Sequence, residues 1–209
     1  MNFQTYLILS GTIIMMTIIV SVIVSYRKYS AYYRKSIEPD ITLEQMQNSE
    51  ENIARFLQEN NLSQGASILN IAEVLQVSQG GEDNRLDVLA QLSEQDENGN
   101  RTVTFKTGLS AEEKIFNFAH ECAHLVNRDT VPATRPEGHN KPPVEQIADY
   151  TAAALLMPLG EVYDFLEGNG YKKMSSRKRV GMLHNLCERY GVSEVIALRR
   201  IDEVYKLKQ

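Results

Sequence analysis

Apolar and polar positions alternate along this chain in several distinct rhythms, and each rhythm predicts a different element. Residues 6–26 carry no charged side chain and are dominated by Ile, Leu, Val and Met. At 1.5 Å per residue they would make about 31 Å of helix, the length of a membrane span. Residues 36–50 are polar and include Pro39, which reads as a short linker leading into a helix. Helical spacing of apolar residues then predicts helices over 43–60 and 65–77, separated by Asn60-Asn61. Period-two alternation follows, with Leu86, Val88, Ala90 and Leu92 in 85–93 and Val103 and Phe105 in 102–107. The turn-forming stretch 94–100 lies between them, so these two runs predict a hairpin. Helical periodicity returns at Ile115, Phe118, Ala119, Cys122 and Val126. It returns again over 144–157, with Ala148, Ala152, Leu155 and Leu156 as the apolar stripe. The last third, 175–208, predicts two helices broken at Tyr190-Gly191-Val192-Ser193. These elements describe an α+β, mostly helical domain with a small β-sheet and a C-terminal helical segment, preceded by one transmembrane helix. The domain boundaries that follow are 1–35 for the anchor and its basic flank, 36–50 for the linker and 51–209 for the folded domain.

The helix expected after residue 110 carries the chemistry. Ser110 and Glu113 have the spacing of a capping box, and the helix should fray near Arg128-Asp129, ahead of Pro132. Within it, residues 120–124 read His-Glu-Cys-Ala-His. Two imidazoles four residues apart stand one above the other on a helix face and can reach one metal ion. The glutamate between them, Glu121, is placed to act as a general base on an attacking water. Such a site needs a further protein ligand, and Asp129, His139 and Glu145 lie downstream. His139 sits in a stretch of turn formers with no helix to fix it. Glu145 opens the next helical segment just after Pro142-Pro143, and Asp149 follows it on the same face. A ligating histidine usually donates its other N–H to a carboxylate, so Glu145 as ligand with Asp149 orienting a histidine fits better than either rival.

The blocks FNFAHECAHLV (116–126) and VEQIADYTAAALLMP (144–158) together resemble the ImmA/IrrE family of metallopeptidases. That family pairs an F-x-x-A-H-E-x-x-H helix with E-x-x-A-(N/D)-x-F-A-A-x-L-L-M-P. Phe116 and Ala119 match the first block; Glu145, Ala148, Asp149, Ala152, Ala153, Leu155, Leu156, Met157 and Pro158 match the second. Tyr150-Thr151 departs from the usual aromatic–alanine pair without touching a candidate ligand. The resemblance covers about residues 50–205 and implies a zincin-like, gluzincin-type fold. It also implies a single Zn2+ held by His120, His124 and Glu145, with Glu121 as general base. The implied activity is a zinc metallo-endopeptidase that cleaves a regulatory protein, such as a helix-turn-helix repressor of a mobile element or prophage. The alternative from another class is a zinc-dependent regulatory or toxin–antitoxin partner that binds a transcription regulator without cutting it.

Charge refines this picture. Arg27, Lys28, Arg34 and Lys35 crowd one flank of the apolar run, no cation precedes it and no A-x-A-like cleavage site follows it. The expectation is a single-pass membrane protein with its N-terminus outside and a cytoplasmic catalytic domain. An anchor departs from the soluble form associated with the family. The net charge is −5 despite that basic flank, which argues against nucleic acid as a direct partner. The Arg199-Arg200 pair invites a DNA reading, but the Leu198/Ile201/Val204 periodicity fits core packing better. Cys122 and Cys187 are the only cysteines and read as buried thiols, with no disulfide framework. His184 reads as an ordinary helix histidine.

Overall fold

The computed structural model describes residues 41–129 and 141–209. Helix α1 (Leu43–Glu59) starts at Thr42, whose side chain and that of Gln45 form a reciprocal capping box. Its buried stripe, Met46, Ser49, Ile53 and Leu57, has the three- and four-residue spacing of a helix lying on a core. Residues 43–50, expected to lead from linker into helix, are its first two turns. A shorter helix, α2 (Ile68–Val74), is capped by Ser67 and buries Ile71 and Ala72.

Three strands follow: β1 (Val77–Asp83), β2 (Ala90–Leu92) and β3 (Arg101–Lys106). The expected hairpin is present, with Ala90 opposite Phe105 and Leu92 opposite Val103, although its first strand is shorter than the alternation suggests. β1 was not expected. Its sequence, VSQGGED, is polar because it is a sheet edge whose side chains are mostly in water. It pairs parallel to β3, giving the order β1-β3-β2, with a register shift between Gln79 and Glu82. Gly80 permits that close pairing, since a Cβ there would lie 2.6 Å from Thr102 Cγ2 and 3.1 Å from the Val103 carbonyl oxygen.

Helix α3 (Ala111–Asn127) runs beneath the sheet and begins with the predicted Ser110/Glu113 capping box. One of its faces, Phe118 and Cys122, packs with Val77, Ala90, Val103 and Phe105 of the sheet. Another, Phe116, Ala119, Ala123 and Val126, joins α1 and α4 (Pro143–Leu156) in the main core. Ala148, Ala152 and Ala153 on α4 keep that contact close. The chain then forms α5 (Leu159–Gly168), a 3-10 turn (Tyr171–Lys173), α6 (Ser176–Tyr190) and α7 (Glu194–Leu207), which share a second apolar cluster.

Arg200 of α7 is fully buried, in contrast to the surface role its pairing with Arg199 invites. Its Nε donates to the Met157 carbonyl at 2.9 Å and its Nη2 to Glu50 Oε1 at 2.7 Å, and its guanidinium lies 5.3 Å from the Tyr150 ring centre. Tyr150 O–H donates to the same Glu50 oxygen at 2.7 Å. One buried cation thus ties α1, α4 and α7 together, while Arg199 pairs with Glu203 at 2.9 Å.

The mostly helical α+β architecture with a small sheet is present, and the expected transmembrane helix in front of it is corrected. Among the described residues, no helix is long and apolar enough to cross a membrane. The longest, α1 and α3, have 17 residues each, about 26 Å, and both carry charged side chains along their lengths. The anchor expected over 6–26 lies outside the described residues. The single-pass membrane localisation built on it is corrected in the same way, since no described helix supports it.

Candidate metal centre

The α3 spacing that buries Phe118 and Ala119 turns His120, Glu121 and His124 to a third face, against the start of α4. All three are buried, as are Glu145 and Asp149 opposite them. Asn127 Nδ2 donates to Thr151 Oγ1 at 3.2 Å, a further tie between the two helices near this face. α4 starts at Pro143 with Pro142 before it, as the two prolines predict, so Glu145 falls in its first turn.

His120, His124 and Glu145 converge on one point. The two Nε2 atoms lie 3.2 Å apart; Glu145 Oε2 is 3.1 Å from His120 Nε2 and Oε1 is 3.5 Å from His124 Nε2. The imidazole rings meet edge to face, with centroids 4.8 Å apart and planes at 85°. A tetrahedral zinc site with bonds of 2.0–2.1 Å would hold its donors about 3.3 Å from one another. The separations of these three donors match that spacing.

Two aspartates fix the orientation of the rings. His120 Nδ1 is 2.9 Å from Asp149 Oδ1, and His124 Nδ1 is 2.8 Å from Asp129 Oδ2. A carboxylate only accepts, so each Nδ1 carries the proton and each Nε2 presents its lone pair. Two lone pairs facing one another at this range repel unless a proton or a cation lies between them. The donor set therefore fits a metal ion. Lys141 contacts the other oxygen of Asp149 and holds that carboxylate in place.

The electrostatics of the metal-free site show a proton standing in for a cation. Burial opposes charge on Glu145, but hydrogen bonds that it accepts from His120 and His124 in their charged form, with a proton on Nε2, and the charge itself hold its carboxyl down at about 2. Burial also opposes a proton on His124, yet its hydrogen bonds with Glu145 and Asp129 outweigh it and raise the pKa above the ordinary histidine value. Glu121 adds its negative charge to His124 from the same helix. Cys122 lies under the sheet, where burial, and secondarily the Glu121 charge, push its thiol up to about 12. It is a packing residue with no thiolate to offer. Cys187 is half-buried.

Of the residues singled out in the sequence, the fold brings His120, His124, Glu145 and Asp149 together with Glu121 buried on the same helix, and it places one more, Asp129, beside His124. Asp129 stood as a rival ligand, whereas it supports His124. It lies past the end of α3, where helical spacing says nothing; Arg128, in the left-handed region at φ 60°, turns the chain so that the Asp129 N–H meets the His124 carbonyl at 2.9 Å. Its only sequence signal is a carboxylate just after a fraying helix end. His139 lies outside the described residues. His184 is exposed on α6, 3.3 Å from Glu188. Asp149→Ala and Asp129→Ala should each weaken metal affinity about 10- to 100-fold in a protein that still folds. Chelator competition on the purified variants measures this, and unchanged affinity would mean that the aspartate in question does not orient its histidine for a metal.

A peptidase family model described as the IrrE N-terminal-like domain matches residues 72–202, a span that holds every donor above. The chain belongs to the IrrE N-terminal-like family. Within this family the buried His-His-Glu group is what a metallopeptidase requires. Among solved structures, a Mycobacterium tuberculosis transcriptional regulator is similar over 73% of this chain and 46% of that one, at 17% identity and a TM-score of 0.46. The chain thus spans less than half of that protein's length. No curated protein matches it.

Proposed function

We propose that this IrrE N-terminal-like protein is a zinc-dependent endopeptidase that cleaves a regulatory protein, with His120, His124 and Glu145 as metal ligands and Glu121 as the catalytic base. The observation that carries the reading is the convergence of two Nε2 lone pairs and one carboxylate beside a buried glutamate. When bound, zinc supplies a Lewis acid that polarises the scissile carbonyl and makes a water more acidic. Glu121 takes the proton of the attacking water and returns it to the leaving amine. Asp149 and Asp129 keep both imidazoles in the tautomer that leaves Nε2 free to ligate. The two aspartates also remove the rotational freedom of the rings, so the site is set before substrate arrives. β2 forms an edge of the sheet, and its Ala90 packs with Phe118 and Cys122 of α3. An extended peptide can add to such an edge through backbone hydrogen bonds, which suits a protein substrate. A repressor-type regulator as that substrate rests on the family resemblance.

The test is to incubate the purified full chain with zinc and with unfolded casein and any helix-turn-helix regulator found encoded beside it, and to sequence the products by mass spectrometry. A new internal terminus should form, disappear with a chelator and return when zinc is added back. If a zinc-loaded protein cuts neither unfolded casein nor any such regulator, the endopeptidase reading is wrong.

A further inference from the structure

Far along the chain from the metal ligands, residues 168–187 carry five cations, Lys172, Lys173, Arg177, Lys178 and Arg179, and no carboxylate, in a chain whose net charge is −5. All five residues are exposed. They lie on the 3-10 turn and on the first turn of α6, which holds no acidic residue. Cations at this end of a helix oppose its dipole, so three of them in one turn are destabilising unless an anion sits among them.

The cluster is also held in shape. Arg179 Nη2 donates to the Lys172 carbonyl at 2.9 Å and its guanidinium lies 5.1 Å from the Tyr171 ring centre. Lys172 stands 4.4 Å over the Tyr205 ring and 3.8 Å from Glu167. These two residues fasten the turn to α6 and α7. Among the described residues, no ion pair engages Lys173, Arg177 or Lys178.

We propose that this basic surface binds the phosphate backbone of double-helical nucleic acid without sequence preference. The proposal is independent of the peptidase reading. Arginine forks and lysines around the first amides of a helix match phosphate oxygens in geometry as well as in charge. Tyr171 and Tyr205 stack on each other with centroids 6.2 Å apart and are already faced by Arg179 and Lys172. That leaves no aromatic platform here for the bases of a single strand, which is why a duplex is the fitting partner. The overall acidity does not prevent this, because charges more than about 8 Å away are screened at physiological salt.

Fluorescence anisotropy of a labelled mixed-sequence 20-base-pair duplex with the full 209-residue chain tests the proposal. Binding at 50 mM salt should weaken about 40- to 150-fold at 200 mM, the dependence expected for three to four phosphate contacts. The double variant Arg177→Glu/Lys178→Glu should lose at least about 10-fold in affinity, with unchanged circular dichroism and thermal midpoint. The milder Lys173→Gln and Lys178→Gln should each flatten the salt dependence by about one contact, so the surface is testable even where the double variant misfolds. No binding at 50 mM salt, equal affinity in all these variants, or equally tight binding of polyglutamate or single-stranded DNA would overturn the proposal.

Discussion

On the proposed mechanism, Glu121→Gln should keep its metal and lose cleavage. The substitution preserves the size of a side chain that is fully buried on α3, next in sequence to His120, and it removes only the charge and the basicity. If Glu121 takes the proton of the attacking water, the rate should fall about 100- to 10,000-fold, the range for loss of a positioned general base. Metal content should stay near one ion per chain, because His120, His124 and Glu145 are untouched. Plasma mass spectrometry of the purified variant measures the metal, and product sequencing measures cleavage. Cleavage at the native rate would remove Glu121 from the mechanism. The same variant separates a peptidase from a binder. If biological output survives in Glu121→Gln but is lost when the metal is stripped, the protein acts as a metal-stabilised partner of its regulator.

Glu145→Ala should lose the metal altogether under conditions where the wild type retains it. The remaining histidine pair supplies two of the three protein ligands that a catalytic zinc site uses. The loss of affinity should therefore exceed the roughly 100-fold upper figure for a supporting aspartate. A second signature appears in the metal-free protein. The Glu145 carboxyl is held at about 2, below its reference value of 4.5, by hydrogen bonds to both histidines that outweigh its burial. A depressed carboxyl contributes stability that is fully present above its unfolded value and is lost as pH falls toward its folded one. Wild-type metal-free protein should accordingly lose urea resistance between about pH 4.5 and pH 2 in excess of Glu145→Ala, which lacks that pair. Full metal retention by Glu145→Ala, together with loss in His139→Ala, would mean that the ligand set is wrong.

Everything that depends on helical repeat was legible in the sequence. The Ser110 capping box, the buried stripe of α3, the paired histidines and the Glu145/Asp149 spacing are local, since a helix converts a separation of four residues into one face whatever surrounds it. The proline pair likewise marks the start of α4, because a missing N–H does no harm in a first turn. Other features exist only once the chain is folded. β1 looks like a loop in sequence, and it is a strand because β3 offers its edge and Gly80 lets the backbones approach. Asp129 reaches His124 through a reversal of the chain that no periodicity encodes. The Arg199-Arg200 pair sits in a helix whose apolar periodicity fits core packing, but nothing local says which arginine is buried; Arg200 is, because Glu50, 150 positions away, and the Met157 carbonyl satisfy it there. Net charge, finally, is a sum over the chain, while the basic surface at the start of α6 is a local run, Lys172 to Arg179, that acts on its own because water and salt limit the range of charges; the fold adds that all five side chains stay exposed. Local geometry thus determined the candidate ligands and their helices. Contacts between residues distant in sequence decided how those ligands are oriented and which charges are exposed, because hydrogen bonding and burial depend on neighbours that only the tertiary structure brings into reach.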